Sequence, residues 1–120
     1  MKTYLVLPEV FYEYFTSSDP EVLDSIEKTF KRAESGKLKM LLPEGLFFLL
    51  ALQLEKSVRK QDVLIDLLES ILNLHNLKVR NELILRKTVL EMRTGKNFVE
   101  AYRTIIIPAL SLDGVIACEK

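Results

Sequence analysis

With 120 residues, 48% of them hydrophobic, and 17 basic against 17 acidic side chains, the chain is long enough for one domain with a core and too short for two. The charge balance leaves no global field to gather nucleic acid or an anionic membrane. A lone cysteine, Cys118, excludes an internal disulfide and a cysteine-rich zinc site and fits a reducing compartment. The longest apolar run, Gly45 to Leu52, falls far short of the ~20 residues a membrane span needs. No small-residue cleavage site follows the N-terminal apolar residues, so the expected location is the cytoplasm, with no membrane partner.

Thr3-Tyr4-Leu5-Val6-Leu7 is a short run stopped by Pro8-Glu9. Its apolar character predicts a strand buried on both sides in the middle of a sheet. Val10 to Thr16 follows as a short aromatic-rich helix. Ser18 and Glu21 have capping-box spacing before a second helix, in which Val22, Leu23, Ile26, Phe30 and Ala33 form the buried stripe and Gly36 the stop.

Lys37 to Leu42 predicts a second strand. From Glu44 the chain is apolar through Leu52, which predicts an interior helix. Asp62 can cap the next helix, whose broad face carries Leu64, Leu67, Leu68, Ile71 and Leu72.

Leu77-Lys78-Val79 reads as a third strand, and Asn81 opens a helix through Leu85, Val89 and Met92 that stops at Thr94-Gly95. Asn97 opens the last helix, which Pro108 should kink or end. Val115-Ile116-Ala117-Cys118 reads as a fourth strand. Four short strands between helices predict an α/β domain over residues 1–120, with a mostly parallel sheet and helices on both faces.

In such a sheet, ligands and chemistry gather beyond the carboxyl ends of the strands. Glu9, Glu100 and Glu119 are the acids predicted for that rim, and clustered carboxylates are what Mg²⁺ or Mn²⁺ needs. Each has a plainer reading: Glu100 stands three residues after Asn97, as a capping box requires, and Glu119 is the penultimate residue. His75 lies in a polar turn with no second histidine beside it, and Cys118 reads as a small buried hydrophobe. Lys56, Arg59 and Lys60 form a basic turn, and Arg103, one turn after Glu100, is placed to pair with a carboxylate.

In the order of its short motifs the chain resembles the PIN domains, small metal-dependent ribonucleases that include the VapC-type toxins of toxin–antitoxin pairs. The residues that carry the likeness are Met1-Lys2-Thr3-Tyr4-Leu5-Val6 into Val10-Phe11, then Leu42-Pro43-Glu44, Gly95 to Tyr102, and Leu112-Asp113-Gly114-Val115-Ile116. The resemblance implies a three-layer α/β/α fold, a metal-binding set of acids at the strand ends, RNA as substrate, dimers and an antitoxin-like protein partner.

The sequence departs from the family at most of those acids. Leu7 and Leu49 stand where the resemblance expects an Asp and a Glu, Glu100 and Glu119 stand where it expects Asp, and Ala117 replaces a Ser or Thr. Two functions follow as expectations. The first is a degenerate PIN-like protein without nuclease activity, acting as a binding or regulatory module or toxin remnant, with no cofactor. The second is an active ribonuclease using Glu9, Glu100 and Glu119 with Mg²⁺ or Mn²⁺, the metal resting on Glu100 and Glu119. Under the first, Leu7 and Leu49 are expected to fill the former metal site, so that acids restored there lower stability. Self-association is expected through the apolar helical hairpin from Glu44 to Asn73.

Overall fold

A computed structural model describes residues 2–116. Along the chain run β1 (Thr3–Leu5), α1 (Pro8–Thr16), α2 (Pro20–Glu34), β2 (Lys39–Leu42), α3 (Glu44–Ser57), α4 (Gln61–Leu72), β3 (Leu77–Val79), α5 (Glu82–Met92) and α6 (Phe98–Ala109). The three strands form one all-parallel sheet in the order β1-β2-β3, with Met40 paired to Tyr4 on one side and to Leu77 on the other. The α/β class and the parallel sheet are therefore those expected from the sequence.

Strand order decides the layering. Each crossover steps the same way along the sheet, and right-handed crossovers that step the same way place their helices on the same face. The burial pattern agrees: Met40, Leu42, Leu77 and Val79 are buried toward the helices, whereas Lys39, Lys78 and Arg80 are exposed on the other face. Among the described residues the helical layer covers one face of the sheet, not both.

β1 also lies elsewhere than expected. It is an edge strand whose three residues are all exposed, and β2 holds the centre. Apolarity alone misplaced it because an apolar run marks a strand without ranking it within a sheet. The expected fourth strand is not formed by the part of it that is described. Val115 and Ile116 are exposed and in no strand, while Ala117 and Cys118 lie outside the described residues. Among the described residues the sheet has three strands, and Val115 and Ile116 pair with none of them.

Local chemistry sets the helix ends. Pro8 and Pro20 occupy first-turn positions, where a missing N–H is harmless. The cap of α2 is Asp19, one residue later than Ser18, and its carboxylate accepts from the Glu21 N–H at 3.0 Å. Gly36 follows α2 with φ +79, a conformation that costs glycine little. The cap of α4 is Lys60, leaving Asp62 in the first turn. Pro108 sits in the last turn of α6, where the helix is about to end in any case.

A single core joins the sheet to the helices, with Phe11, Phe30, Met40, Phe47, Leu68 and Leu85 among its members. Along α3, Phe47, Leu50, Ala51 and Leu54 are buried but Leu49 is 52% exposed, so this helix buries one face rather than all of its circumference. Phe47 meets Phe98 of α6 at 6.2 Å between ring centres. Replacing Phe47 by Ala should lower stability by about 3–5 kcal/mol, whereas Leu49→Ala should stay within about 0.5–1 kcal/mol. Urea denaturation of the two variants measures both.

Candidate functional site

All three strands run toward one rim, and a helix starts after each of them. Glu9 stands in the first turn of α1, Glu44 in that of α3 and Glu82 in that of α5. A carboxylate is favoured there because the first N–H groups of a helix carry a partial positive charge. Glu44 and Glu82 are not among the acids expected at this rim, although each follows a strand end and opens a helix, in Leu42-Pro43-Glu44 and Arg80-Asn81-Glu82.

One contact ties two of these starts together. Asn81 adopts a left-handed backbone, φ 56, and its side-chain Nδ2 donates to Glu44 Oε2 at 2.9 Å. Asparagine tolerates that conformation better than most residues. The bond joins the exit of β3 to the entrance of α3.

Helix α6 is fixed alongside by aromatic rings and by one carboxylate. Phe48 meets Phe98 edge-on at 4.7 Å and Tyr102 edge-on at 5.1 Å. Glu55 of α3 accepts from the Phe98 N–H at 2.7 Å and so satisfies a free donor at the start of α6. Burial raises the Tyr102 phenol above its ordinary value, and the Glu44 charge raises it further.

Of the expected acids, Glu100 is engaged locally. Its N–H donates to Asn97 Oδ1 at 2.9 Å, and its Oε1 accepts from the Asn97 N–H at 3.3 Å, a complete capping box. Glu9 is exposed in α1, and Glu119 lies outside the described residues, as does Cys118. No group of three or more His, Cys, Asp or Glu side chains converges on a metal-sized point among the described residues.

Arg103 is exposed and forms no ion pair among the described residues, and the Glu100 carboxylate one turn before it is turned back to Asn97. His75 is exposed in the turn before β3, as expected of a surface residue. Lys56, Arg59 and Lys60 are exposed around the α3–α4 connection.

The two leucines do not fill a closed pocket. Leu7 is 45% exposed and Leu49 is 52% exposed. Leu7 is in fact the N-cap of α1, with φ −86 and ψ 148 and no side-chain bond to the helix. No protein-family model matches this chain, and neither the curated proteins nor the solved structures give a match.

The cap position reverses the expectation for an acid at Leu7. Leu7→Asp supplies the missing acceptor to the first turn of α1 and should stabilise the fold by about 0.5–1 kcal/mol, seen as a higher melting temperature in EDTA. Tyr102 gives a pH signature. Its folded pKa is raised, so its contribution is complete below the ordinary phenol range and is lost as pH rises through the folded value. Ultraviolet titration of wild type minus Tyr102→Phe should show a phenol ionising above pH 10, and Glu44→Gln should move that step partway down.

Proposed function

We propose that this chain is a PIN-like protein without nuclease activity that works as a binding or regulatory module. The observation that carries this reading is the state of Glu100: the one described acid that lies at a family acid position has its carboxylate committed to the Asn97 N–H. Leu7 and Leu49 offer hydrocarbon where the resemblance expects acids, and hydrocarbon holds no Mg²⁺ or Mn²⁺. The PIN-like assignment itself rests on the order of the sequence motifs. In its three-layer form a second layer would cover the face that carries Lys39, Lys78 and Arg80.

A binding role needs a surface, and α1, α2 and α4 enclose a cleft of about 430 Å³ lined by Phe11, Tyr14, Phe15, Phe30 and Leu74. Glu27, Lys31 and Glu34 stand along its α2 side. Aromatic floor with charged edge is the make-up of protein-binding clefts, which suits an antitoxin-like protein partner.

The rival is an active ribonuclease built on Glu9, Glu100 and Glu119 with Mg²⁺ or Mn²⁺. Of those three, Glu9 supports it by opening α1 at the rim it shares with Glu44 and Glu82. Purified chain incubated with single-stranded and structured RNA and Mn²⁺ should leave the RNA intact. Cleavage that EDTA stops and that Glu100→Gln abolishes would overturn the binding-module reading.

A further inference from the structure

Two parts of this chain lack partners among the described residues, and each has what the other needs. The first is the outer edge of β1. Lys39 N–H donates to Lys2 O and Val6 N–H donates to Leu41 O, so the alternate residues Lys2, Tyr4 and Val6 turn their backbone groups to β2. In a parallel ladder the residues between them, Thr3 and Leu5, then turn their N–H and C=O groups to the open side. Beside that edge, between β1 and α2, lies a groove of about 480 Å³ whose lining includes Val6, Val10, Ile26, Leu38 and Met40, with Arg32 among the lining residues.

The second is the arm that follows α6, from Leu110 to Ile116, every residue of which is exposed. It carries Leu112, Val115 and Ile116 into solvent, and the β-branched pair Val115 and Ile116 favours strand pairing. Its starting point is known: Pro108 and Ala109 share a surface depression with Leu83 and Ile84 of α5, the helix that follows β3. The arm therefore leaves from the β3 side, across the sheet from β1.

We propose that the arm of a second copy of this chain adds to β1 as a parallel strand, so that two copies exchange arms. This goes beyond the functional reading above and does not depend on it. The side-chain pattern fixes the register. On an extended strand Asp113 and Val115 face the same way, with Gly114 and Ile116 on the opposite side. Val115 then enters the apolar groove, with Gly114 beside Leu5 and Ile116 beyond it on the open face.

Charge gives the direction. Arg32 lies near the C-terminal end of α2, which runs back toward the start of β2, so a parallel strand brings Asp113 to it before Val115 reaches Val6. Neither Arg32 nor Asp113 has an ion-pair partner among the described residues. A reciprocal exchange uses the same surface on both copies, so it closes as a symmetric pair and leaves no open end.

Light scattering over a range of protein concentrations tests this, with circular dichroism to show that each variant is folded. The wild type should have the mass of a dimer. Arg32→Glu and Asp113→Lys should each weaken the dimer about tenfold or more, and the double variant Arg32→Glu/Asp113→Lys should recover most of that loss. A monomer at every concentration would overturn the proposal, and so would a dimer indifferent to both single changes. A monomer in which Asp113→Lys speeds amide exchange at Thr3 and Leu5 would place the arm on its own β1 and would equally overturn the exchange.

Discussion

The direction in which the chain steps through its sheet governs nearly everything else in this molecule. Because β1, β2 and β3 lie side by side in chain order, the right-handed crossovers α1–α2 and α3–α4 fall on one face. That face becomes the core, where Met40, Leu42, Leu77 and Val79 meet the helices. The opposite face keeps Lys39, Lys78 and Arg80 in water. An all-parallel sheet is normally covered on both faces, and the polar side chains explain how this one tolerates a face that none of the described residues covers.

The same rule assembles the rim. Parallel strands end together, so the helices that follow them begin together, and their first-turn acids Glu9, Glu44 and Glu82 share one end of the sheet. Asn81 then links two of these helix starts through Glu44. The ring contacts of Phe48 with Phe98 and Tyr102 hold α6 against α3. The Glu55 carboxylate satisfies the amide of Phe98 at the same junction. Further along, Arg93 bonds to Glu69 and Asp66, connecting α5 to α4 at the surface; exposed pairs of this sort add little stability and serve chiefly to set relative position.

What an acid does in this fold depends on its neighbours more than on its position in the chain, and Glu100 does not stand at the rim: α6 starts beside Glu55 near the end of α3 and Gln61 at the start of α4. Glu100 shows this most directly, since the Asn97 N–H captures a carboxylate that could otherwise face outward. Leu7 shows the converse: a side chain with no polar atom occupies a helix cap that calls for an acceptor. Both positions shape helix ends before they shape any chemistry.

The sequence by itself determined the elements. Gly36, Pro43 and Gly95 mark breaks at which a helix or strand does stop, the expected stripe of α2 buries Phe30 and Ala33 and half-buries Val22, Leu23 and Ile26, and Asn97 with Glu100 forms the box that three-residue spacing allows. These are local matters, settled within one or two turns of chain. Only the tertiary structure decided that β1 is an edge among the described strands, that α3 leaves Leu49 in solvent, that Glu44 meets Asn81, and that Val115 and Ile116 join none of the described strands. Each depends on strand order and on contacts between distant residues. An apolar run looks the same in sequence whether its second face meets a helix or water, so the number of layers could be read only once the sheet had a direction.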